Sequence, residues 1–215
     1  MKVRVTFTEP LLGTWPSNEN VARDFIASKA PDAATVKDEI AAIGADAVAE
    51  KGMTVFPRVN GQPVLYDYQI KGFFKDACGM LNRVKTTKSS AIKAYKKIID
   101  GLIFVEPRCI PIQLSGEIGE CQRPLRAQTP QGERVSLALS EEIPAGSSAE
   151  FEITFFDEKA HKEAVLEWLD YGRLRGIGQW RNSGKGRMVY DIVDDEGHVI
   201  GGNNEYTGNF EVPEN

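Results

Sequence analysis

The residues best suited to bind a ligand lie in one stretch, 176–187, which reads GIGQWRNSGKGR. Its four glycines let the backbone approach a ligand closely and adopt positive φ angles. Its cations are Arg181, Lys185 and Arg187, with no acid among them, and Trp180 offers a flat face on which a base can stack. This combination predicts a loop that binds nucleic acid, although a flexible surface loop has the same composition.

Two better-known glycine motifs do not fit this stretch. A P-loop places Ser or Thr after its lysine, whereas Gly186 follows Lys185 here. A dinucleotide fingerprint has a third glycine where Arg181 stands, and its loop follows a strand and opens a helix. Here a predicted helix, 159–173, comes first and a predicted strand, 188–193, follows. The sequence therefore predicts no nucleotide cofactor.

A second basic cluster lies in residues 71–97, which hold eight Lys or Arg residues and one acid. Residues 191–215 hold seven acids and no Lys or Arg, so the net charge of −5 hides a strong segregation of charge. Lys71 and Gly72 follow a predicted hairpin at a helix start, where backbone N–H groups attract phosphate. Each lysine also fits a solvated helix face.

From these two clusters, and from the residue that immediately precedes the first, we select the candidate RNA contacts. They are Lys71, Gly72, Lys75, Arg175, Gly176, Gly178, Trp180, Arg181, Gly184, Lys185, Gly186 and Arg187.

No catalytic or metal-binding residue stands out. His161 is expected on an exposed helix turn beside two lysines, and His198 in a turn of the acidic tail. The three cysteines form no CxxC pair, so a structural zinc site is not expected. No run approaches the roughly 18 apolar residues of a membrane span, and the first residues alternate like a strand. We expect a cytoplasmic protein that does not bind a membrane.

The pattern of elements predicts one α+β domain, 1–215, with helices on one face of an antiparallel sheet in a ferredoxin-like (RRM-like) arrangement. Alternating strands are predicted at 2–8 and 149–156, and Asn60-Gly61 marks a hairpin. Helices are expected at 69–83 and 89–100. The remaining segments are a helical insert at 18–50, an irregular loop at 115–133 and an acidic tail at 194–215.

Four segments, in this order, resemble the RAMP superfamily of CRISPR proteins, and its crRNA-binding backbone subunits in particular. They are VRVTFTEPLLG at 3–13, YQIKGFFKDA at 68–77, EIPAGSSAEFEI at 142–153 and LRGIGQWRNSGKGR at 174–187. The family usually has Ser where Gln69 stands and Arg where Lys75 stands. Together the four segments extend over most of the chain.

This resemblance implies a fold whose sheet and glycine-rich loop contact the backbone of single-stranded guide RNA in a CRISPR-type effector complex. The implied partners are other subunits of a ribonucleoprotein or copies of the chain itself. RAMP-fold endoribonucleases are an alternative, but Asp24, Asp32 and Asp38 show no recognisable cleavage context. A third alternative is an assembly subunit or viral mimic that does not bind nucleic acid, which the pI near 5.2 favours.

Overall fold

The computed structural model describes residues 1–16, 53–129 and 132–204. Its three α-helices within these ranges are α1 (Asp67–Leu81), α2 (Tyr95–Leu102) and α3 (Glu158–Arg175), and two short 3-10 helices are Lys88–Ala91 and Arg181–Ser183. The strands are β1 (Lys2–Phe7), β2 (Leu11–Leu12), β3 (Trp15–Pro16), β4 (Thr54–Val55), β5 (Arg58–Val59), β6 (Gln62–Tyr66), β7 (Ile103–Glu106), β8 (Cys109–Gln113), β9 (Gly119–Thr129), β10 (Gly132–Ile143), β11 (Ser148–Phe155), β12 (Met188–Val193) and β13 (Val199–Gly202).

The main sheet is antiparallel and has β1 near its centre. Its strand order is β13-β12-β1-β11-β8-β6-β5, and β7 also pairs with β11. Val5 of β1 lies opposite Tyr190 of β12 and Ala149 of β11. Helices α1 and α3 cover one face of this sheet, so the predicted α+β class with helices on one face is confirmed.

Alternation in β1 explains which face of the sheet is covered. Val3, Val5 and Phe7 are fully buried in the core beneath the helices. Lys2 and Arg4 point to the opposite face, where both cations lie near Glu150 and the Arg4 Nε atom is 2.6 Å from its carboxylate. On this face of the sheet, opposite to the helices and hereafter called the open face, the cations of β1 are offset by a neighbouring carboxylate.

The helices are fixed by their apolar stripes and by side chains at their first turns. Gln69 accepts the backbone N–H of Tyr66 at 2.7 Å where α1 begins, and Asp157 accepts that of Ala160 at 3.0 Å where α3 begins. The α1 and α3 stripes meet between Phe74 and Trp168, whose ring centroids lie 5.6 Å apart.

The segment 115–133 corrects one prediction, because most of it is strand and not an irregular loop. In the second sheet, β9 and β10 form a long antiparallel ribbon whose register runs from Gly119 opposite Glu142 to Thr129 opposite Gly132. The sequence of β9 is polar and contains Pro124, so it lacks the alternation that marks a half-buried strand. Backbone pairing within the ribbon creates the strand instead.

Of the other local predictions, one is confirmed and two differ from the structure. The Asn60-Gly61 turn is confirmed, with φ angles of 52° and 81°, and it joins β5 to β6. The helix expected at 89–100 is a 3-10 turn followed by α2. The acidic tail contains β13, which pairs with β12. The insert at 18–50 and residues 205–215 lie outside the described residues.

Candidate nucleic-acid interface

Residues 176–187, hereafter the glycine loop, follow α3 and lead into β12. The loop is closed upon itself, since the Ile177 N–H donates to the Gly186 carbonyl at 2.9 Å. It is also fixed to the segment after β1, where the Gly186 N–H donates to the Pro10 carbonyl at 2.9 Å. These bonds make the loop a defined structure and not a flexible connection.

Glycine is required where the two ends of the loop meet. A Cβ atom on Gly186 would lie 2.0 Å from the carbonyl oxygen of Ile177, and one on Gly176 would lie 2.7 Å from that of Lys185. Both residues have positive φ, at 70° and 72°. The close approach of the two backbone segments therefore accounts for the first and last glycines of the loop.

Gln179 joins the glycine loop to three neighbouring segments. Its amide nitrogen donates to the Gly13 carbonyl at 2.8 Å and to the Thr54 hydroxyl at 3.2 Å. Its amide oxygen accepts a hydrogen bond from the guanidinium of Arg123 on β9. The middle of the loop is thus held against the base of the β9–β10 ribbon.

Two of the candidate arginines share one carboxylate on α1. Asp76 accepts from Arg175 Nε at 3.0 Å and from Arg181 Nη1 at 2.6 Å. Burial by itself would raise the pKa of Asp76, but the Arg175 hydrogen bond and the Arg181 charge outweigh burial and lower that pKa below its usual range. Asp76 stays ionised at neutral pH, so it fixes these arginines and offsets part of their charge.

The remaining cations of the region differ in ion pairing and in exposure to solvent. Lys185 Nζ lies 2.7 Å from the Glu142 carboxylate and is mostly covered. Arg187 and Arg173 are exposed, and among the described residues neither has an ion-pair partner. These two side chains, one in the last turn of α3 and one at the end of the loop, carry positive charge that no described ion pair offsets.

Trp180 combines exposure with an unusual backbone conformation. The residue is 43% exposed, and its φ and ψ of 53° and 35° lie in the left-handed region that few non-glycine residues adopt. The guanidinium carbon of Arg123 lies 5.5 Å from the centre of the indole ring. The loop thus presents an aromatic side chain that is partly open to solvent.

The structure brings Gly72 to the glycine loop but separates the two lysines from it. Gly72 and Gly178 line one cleft of about 440 Å³, together with Asp76 and Arg181. Lys71 Nζ instead donates to the Asp100 carbonyl at 3.1 Å and lies over the Phe104 ring. These contacts place Lys71 on a different face of α1 from the cleft.

Lys75 lies on the same face of α1 as Lys71, because residues four apart are neighbours on a helix surface. Its Nζ atom lies 2.6 Å from the Asp100 carboxylate at the end of α2. Lys88 of the same basic segment is paired with Glu163 of α3 at 2.5 Å. Lys71 and Lys75 therefore do not share a surface with the glycine loop, and part of the charge of the basic segment 71–97 is neutralised within the fold.

His161 corrects another prediction, since it is buried and not on an exposed turn. It is 9% exposed, and its Nδ1 atom has no hydrogen-bond partner among the described residues. The position lies on the apolar stripe of α3, three, four and seven residues before Ala164, Val165 and Trp168. Its two neighbouring lysines had indicated a solvated turn.

Within residues 1–16, 53–129 and 132–204, no three metal-ligating side chains come together. The helices of the same ranges lack the length and apolar character that crossing a bilayer demands.

Three residues of this region were not selected from the sequence. Arg123 lay in a stretch read as irregular, and no sequence signal links it to the loop. Gln179 carries no charge, so the loop composition did not single it out. Asp76 did leave a signal, because it is the only acid among eight cations in residues 71–97.

The fold is similar to that of one chain of a solved type III-B Cmr-beta complex. A chain in the cryo-EM structure of type III-B Cmr-beta bound to cognate target RNA superposes with a TM-score of 0.51 at 10% identity, over 87% of this chain and 56% of that one. The crystal structure of Cmr6 from Pyrococcus furiosus aligns with a TM-score of 0.42 at 10% identity, over 87% and 96% of the two chains.

The first of these similarities confirms, at the level of fold, the resemblance read from the four sequence segments. The chain spans little more than half the length of that Cmr-beta chain. No family model and no curated protein matches the sequence.

Proposed function

We propose that this chain is a non-catalytic, RNA-binding subunit of a CRISPR-type effector complex or a related ribonucleoprotein. It holds single-stranded guide RNA by its phosphates, and its neighbours in the assembly are other subunits or copies of itself. The observation that carries the proposal is the glycine loop. The loop carries the exposed side chains of Trp180 and Arg187, and Arg173 is exposed in the last turn of α3; neither arginine has an ion-pair partner among the described residues.

The chemistry of this surface suits a backbone contact that is independent of sequence. Arginine donors bind phosphate oxygens, and an indole stacks on any base because every base has a π face. Such contacts fix the position of an RNA strand without reading base edges. The similarity to a chain of an RNA-bound Cmr-beta complex supports this choice of ligand.

The distribution of charge favours the glycine loop over the open face of the main sheet as the phosphate site. The open face carries Glu150, Glu152 and Glu106, against Lys2 and Arg4. Carboxylates repel phosphate, so a strand of RNA laid across this face would gain little. The loop surface therefore offers the better path for the RNA backbone.

Charge reversal at Arg187 tests the proposal. We expect Arg187→Glu to weaken binding of a single-stranded RNA by about tenfold at low salt, since a phosphate contact is replaced by repulsion. The dissociation constant is measured by fluorescence anisotropy of a labelled oligonucleotide, and circular dichroism checks that the variant keeps the fold.

Lys159→Glu is the matched control, because it changes the net charge equally at the other end of α3. The 18 residues of this helix span about 27 Å, which separates Lys159 from the glycine loop. The control should bind RNA almost as tightly as the unmodified protein. Equal weakening by both substitutions would mean that overall charge, and not this surface, determines the affinity.

A further inference from the structure

Arg123 is a buried cation at the base of the β9–β10 ribbon. It lies opposite Ala138 of β10, and only 7% of its surface is exposed. One end of its guanidinium, Nη2, donates to Gln179 of the glycine loop. The side chain therefore reaches from β9 into the loop that the proposed function assigns to RNA.

No residue of the described part of the chain compensates the charge of Arg123. Among the described residues no carboxylate lies within 4.0 Å of its guanidinium. The Nη1 atom is buried, and no described residue accepts a hydrogen bond from it. A guanidinium stays protonated in proteins, and a buried charge without a partner costs free energy. The two N–H groups of Nη1 are thus unused hydrogen-bond donors, and an anion bound to them would offset the buried charge.

Trp180 lies against this guanidinium on the solvent side. Its ring centre is 5.5 Å from the guanidinium carbon, and 43% of the residue is exposed. The backbone of Trp180 has a left-handed φ of 53°, which is unfavourable for a bulky residue. The buried guanidinium therefore has a partly exposed aromatic side chain as a direct neighbour.

We propose that Arg123 and Trp180 form a nucleotide-binding site that takes one phosphodiester and one base of the bound RNA. A base stacks on Trp180 and draws the ring away from the guanidinium, and Nη1 then donates to a phosphate oxygen. Gln179 keeps the other end of the fork in place during this exchange. This inference rests on the proposed function. It adds Arg123 as a donor to an RNA phosphate, in addition to the exposed arginines.

The test compares Arg123→Met with Arg108→Met in the full chain, using a labelled single-stranded RNA. Arg108 is a matched control, because it also lies over aromatic rings, Tyr66 and Tyr68, but is paired with Asp67 at 2.5 Å. We expect Arg123→Met to weaken binding by about tenfold and to reduce the salt slope by about 0.7, the value for one phosphate of a single strand. Arg108→Met should change neither quantity.

The melting temperature of the free protein separates the proposed RNA contact from a role of Arg123 in stability alone. Under the proposal, Arg123→Met removes an uncompensated buried charge, so the melting temperature should stay unchanged or rise while RNA binding falls. A role in stability alone predicts that the melting temperature falls. If Arg123→Met does not fold, Arg123→Lys replaces it, since it keeps the charge but loses the fork that reaches both partners. Trp180→Ala tests the stacking half and should weaken binding by about tenfold.

The outcomes separate the two proposals. If the unmodified protein binds RNA and the Arg123 variant matches it in affinity and salt slope, the Arg123 site is wrong and the proposed function stands. Equal weakening by Arg108→Met would also overturn the site, and unchanged affinity in Trp180→Ala would overturn its stacking half. If the unmodified protein binds no RNA, both proposals fail.

Discussion

Replacing Gly186 by alanine is expected to lower the free energy of unfolding by about 3 kcal/mol and to abolish RNA binding by the glycine loop. The new Cβ atom would lie 2.0 Å from the Ile177 carbonyl oxygen and 3.1 Å from a methyl group of Leu11. It would also force alanine into a φ of 70°, which is unfavourable for an L-residue with a side chain. Urea unfolding followed by circular dichroism measures the first effect.

Gly197→Ala separates the clash from the backbone strain. Gly197 has a similar φ of 86°, but a Cβ atom there would meet nothing within 4 Å. Its substitution should cost only about 1 kcal/mol, the price of the left-handed conformation alone. If both variants lose the same stability, the close contact between the two ends of the glycine loop does not exist in solution.

Replacing Ser89 by alanine is expected to cost about 2 to 3 kcal/mol of stability, because it breaks a buried network. The Ser89 hydroxyl is fully buried, donates to the Glu167 carboxylate at 2.6 Å and accepts from the Trp168 indole at 2.8 Å. Alanine leaves the indole N–H without a partner, and an unpaired buried donor bears its full desolvation cost. Equilibrium unfolding in urea measures the loss.

Ser90→Ala provides the control within the same 3-10 helix. The Ser90 hydroxyl is exposed and donates to the Thr87 carbonyl at 2.6 Å, so water can replace its bond. We expect this change to cost less than about 1 kcal/mol. Similar losses for the two variants would show that Trp168 and Glu167 do not depend on the Ser89 hydroxyl.

Local patterns were sufficient to predict much of the fold. The alternation of Val3, Val5 and Phe7 predicts β1, and the apolar stripe through Phe74 predicts α1, because burial on one face fixes each period. Asn60-Gly61 predicts its turn because both residues tolerate a positive φ. These signals lie within a few residues of the structure that they specify.

Local sequence patterns could not predict the β9–β10 ribbon or the contacts of the candidate site. Ribbon pairing is a backbone property, so the polar sequence of β9 contains no periodic signal for it. The separation of Lys71 from the loop depends on which face of α1 meets α2, and Asp100 that pairs with Lys75 lies 25 residues along the chain. Arg123 and Gln179 meet only after the ribbon has packed against the loop.

The most direct test of RNA binding is a fluorescence anisotropy titration of the unmodified protein with a labelled single-stranded RNA of about 30 nucleotides, repeated between about 50 and 200 mM salt. Phosphate recognition by arginines predicts that the logarithm of the binding constant falls linearly with the logarithm of salt concentration. Three phosphates contacted by arginines give a slope of about −2. Absence of binding at the lowest salt, or binding that does not respond to salt, would contradict the assignment of phosphate recognition to this chain.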